Sequence, residues 1–267
     1  MQVRLFWLSL GVLLLGAPAF SQAPALPQPV VRIPDGGGVG ETLQSIFIPP
    51  KAGAPFSMTL ATKWTRPMDN GGTVTLANQR RIMRDSKGRI YQERWMLVPE
   101  GGNIESEMNV FQITDPEEHT GYSCEVRTKV CELLQYRLTT ELTYLPPTTT
   151  SGNLPDGSGY RLHEDLGSKV TQGVETHGYR ETLTVYESVI GNDKPMVNMR
   201  EFWYSPQLGV SLISIVVSPQ RGKQVFTVKN LSMMEPEADL FVVPGDYKIL
   251  EHRTQNRGGI LEPPPAK

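Results

Sequence analysis

The chain has 267 residues, with 26 Lys plus Arg against 28 Asp plus Glu, 39% hydrophobic residues, 25 Gly, 22 Pro and two cysteines. A charge this near balance, unclustered along the chain, excludes nucleic acid and anionic membrane surfaces as evident partners. The length suits one large β domain or two small ones, and the Gly and Pro content fits a turn-rich β protein.

The first residues read as a signal peptide over residues 1–21. Arg4 gives a positive start, Leu5 to Leu15 an apolar run, and Ala17, Ala19 and Ser21 a small-residue cleavage site. The run is too short for a bilayer of about 30 Å, and no later segment reaches the ~20 apolar residues of a spanning helix. A periplasmic or secreted protein with no transmembrane segment after cleavage is therefore expected. Residues 22–54 are rich in Pro and Gly and read as a flexible leader, in which Ile46, Phe47 and Ile48 are the expected anchors of a docked island.

From residue 55 to 250 a single antiparallel β domain is predicted. SMTLATKWT alternates, and two further strands follow after the turns Asp69-Asn70-Gly71-Gly72 and Asp85-Ser86-Lys87-Gly88. Those residues tolerate positive φ or bond their own backbone in hairpin loops. Arg80, Arg81, Arg84, Arg89, Glu93 and Arg94 flank the second hairpin, where solvated cross-strand pairs are the default expectation. Cys124 and Cys131 are the only cysteines. A hairpin turning at about Arg127-Thr128 places them opposite each other, so a disulfide is predicted, worth roughly 2.5 kcal/mol by chain entropy. Residues 146–158 read as a long Pro/Thr/Gly loop. The stretch Leu166–Met233 reads as four extended runs, a β-meander, with His177-Gly178 in a turn. Glu237 to Phe241 reads as one helical turn, a short strand follows, and residues 251–267 read as a disordered tail.

The fold class predicted is mainly β: a large curved antiparallel sheet, a half-barrel-like meander with few short helices. In LGVSLISIVVS both the even and the odd positions are apolar, which implies a central strand covered on both sides. A sheet wrapped around an apolar ligand fits this pattern, and a packed sandwich fits it too. The ligand-lining candidates are Asn198, Arg200, Trp203, Leu212, Val216 and Phe226.

Chemistry-bearing motifs are few. His119, His163, His177 and His252 have no metal-binding spacing, and no phosphate-cradling loop, GxSxG elbow or other catalytic motif is present. Asp115, Glu117, Glu118 and His119 form an acidic loop, read as solvated, with a weak cation site as the alternative. No cofactor is implied. The expected function is a non-enzymatic envelope binding protein whose partner is an apolar small molecule or lipid. An adaptor for another envelope protein is the second reading, and a hydrolase the third.

The phrases RDSKGRIYQER, FQITDPEEHTGYSC, LGSKVTQGVETHGYRET, EFWYSPQLGVSL and EPEADLFVVPGDYKI resemble a functionally uncharacterised family of secreted proteins of acidobacterial type, over about Pro55 to Tyr247. The cysteine pair is a departure from that pattern. The strand succession and exported context are more loosely similar to the LolA/LolB half-barrel lipoprotein carriers. That resemblance implies a curved sheet cupping an apolar cavity, and it transfers no binding residue.

Overall fold

The computed structural model describes residues 45–135 and 150–250. The expected signal peptide, the leader before residue 45, residues 136–149 and the tail lie outside them.

Hairpin turns divide the chain into strands β1 (Phe56–Pro67), β2 (Thr73–Arg84), β3 (Ile90–Trp95), β4 (Val98–Pro99), β5 (Met108–Asp115), β6 (Thr120–Glu125) and β7 (Val130–Gln135). A second series follows as β8 (Gly152–Asn153), β9 (Gly159–Thr171), β10 (Val174–Val185), β11 (Met196–Ser205), β12 (Val210–Ser218), β13 (Gly222–Ser232) and β14 (Lys248–Leu250). The predicted turns form as expected: Gly71 and Gly88 adopt φ of 81° and 86°, and Asn70 and Asp85 accept bonds from backbone amides of their own turns. His177 is a correction. It lies within β10, and the β9–β10 turn is made by Gln172 and Gly173, both at positive φ.

All fourteen strands join one open, curved sheet in the order β14-β7-β6-β5-β3-β2-β1-β13-β12-β11-β10-β9-β8, with β4 alongside β2. It is two meanders fused at their inner edges, because β1 pairs with β13 over Ser57–Thr65 and Lys223–Ser232. Every pairing is antiparallel except β14 with β7, which is parallel. Helix is confined, among the described residues, to one 3-10 turn at Ala238–Phe241, and none is long and apolar enough to cross a membrane.

Each face of the sheet has its own core. On the leader face, Phe56, Met58, Leu60, Ile82, Phe226 and Val228 pack beneath Ile46 and Ile48. Burying each large apolar side chain contributes roughly 1.5–3 kcal/mol. Phe47, the third expected anchor, is 46% exposed. Three consecutive residues of an extended segment cannot all point at one surface, so the middle one turns outward. On the opposite face, Met83, Tyr91, Phe111, Ile113 and the cysteines are capped by Phe241, Leu240, Val243 and Tyr247. The disulfide Cys124–Cys131 is present between directly paired residues, with Cα atoms 3.9 Å apart.

Candidate binding groove

Side-chain alternation and register place Glu181 of β10, Arg200 and Phe202 of β11, and Ser214 and Val216 of β12 on the leader face. Together with Ser45, Ile46, Phe47 and Val210 they line a cavity of about 500 Å³. A second space of about 360 Å³ continues along the same strands past Asn198, Leu183 and Gln224. The two share Glu181, Arg200 and Val216, and so form one groove that runs along the strands.

The walls are apolar at the leader end, where Phe47, Ile46, Phe202 and Val210 meet. Polar groups gather at the waist. Glu181 and Arg200 are direct cross-strand partners, and Arg161 approaches Glu181 at 3.6 Å. The far end is polar too, lined by Asn198, Ser218, Gln220, Arg221 and Gln224; an apolar pocket with a few polar groups at a fixed point is the usual build of a small-molecule site.

Of the ligand-lining candidates, Arg200 and Val216 line both parts of the groove and Asn198 lines the second. The other three do not line it. Leu212 and Phe226 are fully buried members of the leader-face core. Trp203 points to the opposite face, where its indole lies against Gly178, Lys169 Nζ stands 3.4 Å above the ring, and Nε1 donates to Glu201 Oε1. Phe202, its aromatic neighbour, takes the groove position instead. Only the pairing of Phe202 with Ser214 shows which one faces the groove. Shelter of β12 on both faces is also corrected: Ile213, Ile215 and Val217 on the opposite face are only half-buried.

The charges of the second hairpin depart furthest from the solvated expectation. Arg84 is fully buried, and its guanidinium donates to the carbonyls of Pro49, Ala54 and Leu208. Burial lowers its pKa to about 10. Arg80 is also buried; burial, reinforced by Arg94, brings it down to about 9. Its Nη2 donates to Ser45 Oγ at 2.9 Å, so it holds the leader at the rim of the groove. On the opposite face Glu93 is 1% exposed. Burial pushes its carboxyl pKa up, but bonds from Arg81 and Trp95 outweigh that and hold it below the ordinary value.

The remaining polar clusters lie away from the groove. Asp115 Oδ1 accepts from the amides of Glu117 and Glu118, which makes the acidic loop an ordinary β5–β6 turn. Among the described residues, no three His, Cys, Asp or Glu side chains are grouped to hold a metal. His177 bridges Asp165 Oδ1 at 2.6 Å and Ser168 Oγ at 3.2 Å. The trio sits on the β9–β10 hairpin, where Asp165 is 64% exposed.

No protein-family model and no curated protein matches the chain. Solved structures similar to it include an uncharacterized conserved protein from Thermus thermophilus, at 9% identity and TM-score 0.38 over 74% of this chain and 91% of that one. The Pseudomonas aeruginosa MucA/MucB complex matches at 12% identity and TM-score 0.36, over 73% of this chain and 58% of that one. A LolA superfamily protein from Nitrosomonas europaea matches at 10% identity and TM-score 0.21, over 71% and 90%. At TM-scores this low the likenesses add nothing to the fold read from the strand pairing itself.

Proposed function

We infer that the chain is an exported, non-enzymatic binding protein of the cell envelope, and that its groove takes an apolar, lipid-like ligand. The observation that carries this reading is the trough along β10–β12, apolar under Phe47 and polar where Glu181 and Arg200 meet. An acyl chain would lie against Ile46, Phe202, Val210 and Val216, gaining about 25 cal/mol per Å² of apolar surface removed from water. A polar head would sit at the waist.

Titration of a fluorescent fatty-acid probe tests it. The wild-type protein should bind the probe saturably, and Val216→Trp, which fills the trough, should abolish binding with folding intact. Equal binding by both proteins would place the probe elsewhere. An adaptor would behave differently: cutting away residues 22–44 alone, short of Ser45, Ile46 and Phe47 at the groove, would release a protein partner and leave probe binding in place.

A further inference from the structure

A larger space, about 730 Å³, opens on the opposite face over β13, β1 and β2, and it shares no residue with the groove. It owes its existence to a break in the sheet. Strand β3 pairs with β2 only at Ile82–Arg84, and pairing resumes through β4 at Leu76 and Ala77. Across the gap, side chains replace the ladder. Asn78 Nδ2 donates to the Trp95 carbonyl at 2.7 Å, Arg80 Nη1 to the Glu93 carbonyl at 3.2 Å, and the Arg81 amide to Glu93 Oε2 at 3.1 Å.

Trp95 stands at this break as the wall of the space. Its orientation is fixed, because Nε1 donates to Glu93 Oε2 at 2.8 Å and Glu93 is itself held by Arg81. The floor beside it is low where Ala61 and Ala77 are cross-strand neighbours of Gln79 and Lys63. Gln79 and Thr227 add an amide and a hydroxyl to the lining. The ion pairs Lys63–Glu100 and Arg81–Glu93 neutralise each other at the rim.

We propose that this space is a saccharide-binding site for one or two pyranose rings, with Trp95 as the stacking platform. The C–H face of a pyranose stacks on an aromatic ring while its hydroxyls, each both donor and acceptor, bond amides and hydroxyls at the ring edge. The rigid indole, the shallow alanine floor and the amide and hydroxyl groups of Gln79 and Thr227 supply that combination. A floor of Thr, Gln and Lys does not suit an acyl chain. The volume lies in the range of ordinary small-ligand sites, and a platform held by its own supporting bonds loses little freedom on binding.

Isothermal titration calorimetry of the full chain with cellobiose, maltose and diacetylchitobiose tests the assignment. At least one disaccharide should bind. Trp95→Ala should weaken it by about tenfold or more, and Trp95→Phe, which keeps a platform, should restore part of that loss. Ala61→Leu, which raises the floor and leaves Trp95 and its bonds in place, should also remove binding at an unchanged unfolding midpoint. Val216→Trp, in the groove of the other face, should leave the sugar affinity as it is. Absence of binding by all three sugars at millimolar concentration overturns the proposal. So does an affinity indifferent to both Trp95→Ala and Ala61→Leu, or one lost with Val216→Trp.

Discussion

Arg84 Nη2 donates a 2.6 Å hydrogen bond to the carbonyl of Leu208, 124 residues further along the chain. The bond reaches from β2 to the β11–β12 turn across the strands that join the two meanders. With Pro49 and Ala54 as further acceptors, one side chain ties the leader, the first meander and the second. Arg84→Leu leaves three buried carbonyls without their donor, at about 1–3 kcal/mol each. The variant should lose at least about 3 kcal/mol, measured as a lower urea midpoint. Arg84→Lys, which cannot span the same acceptors, should recover only part of it.

The neighbouring residues Phe47 and Ile48 should separate stability from binding. Ile48 is buried in the core and Phe47 stands over the groove. Ile48→Ala should cost about 2–4 kcal/mol. Phe47→Ala should leave the unfolding midpoint almost unchanged and weaken the fatty-acid probe. Thermal unfolding alongside probe titration resolves the two effects.

Glu93 gives the fold an acid limit. Its folded-state pKa is depressed, so the stability it contributes is present above the unfolded value of 4.5 and is lost as pH falls through the folded pKa. At neutral pH Glu93→Gln should be less stable than wild type, since it leaves Arg81 and Trp95 without their charged acceptor. The two stabilities should converge as the pH falls below that window. Denaturant titrations at a series of pH values check both halves of the statement.

The disulfide closes a hairpin of about eight residues, which corresponds to roughly 2.5 kcal/mol in the chain-entropy model. Both cysteines are fully buried against Phe111 and Phe241. Reduction should therefore lower the unfolding midpoint and leave probe binding intact, because the pair lies on the face away from the groove.

The strand succession was legible in the sequence because neighbouring strands are neighbours in space, joined by turns such as Asn70-Gly71 that announce themselves chemically. The fusion of β1 with β13 and the parallel pairing of β14 with β7 were not, since no local pattern records a partner more than a hundred residues away. Register slips at Gly178/Tyr179 and Trp203/Tyr204 further shift which alternate residues share a face. Arg200, Val216 and Asn198 line the groove; Trp203 is set on the other face by simple alternation from Phe202, and Leu212 and Phe226 share the groove's face but are buried in its core. Arg80, Arg84 and Glu93 looked like surface charges because composition says nothing of the carbonyls and amides that receive them in the interior.

Native mass spectrometry of the protein purified from producing cells, with lipid extraction of the same sample, tests the central claim most directly. A folded protein carrying an apolar molecule, released by extraction and absent from Val216→Trp, is the predicted result. A folded wild-type chain that arrives without cargo and takes up no fatty-acid probe would contradict the account.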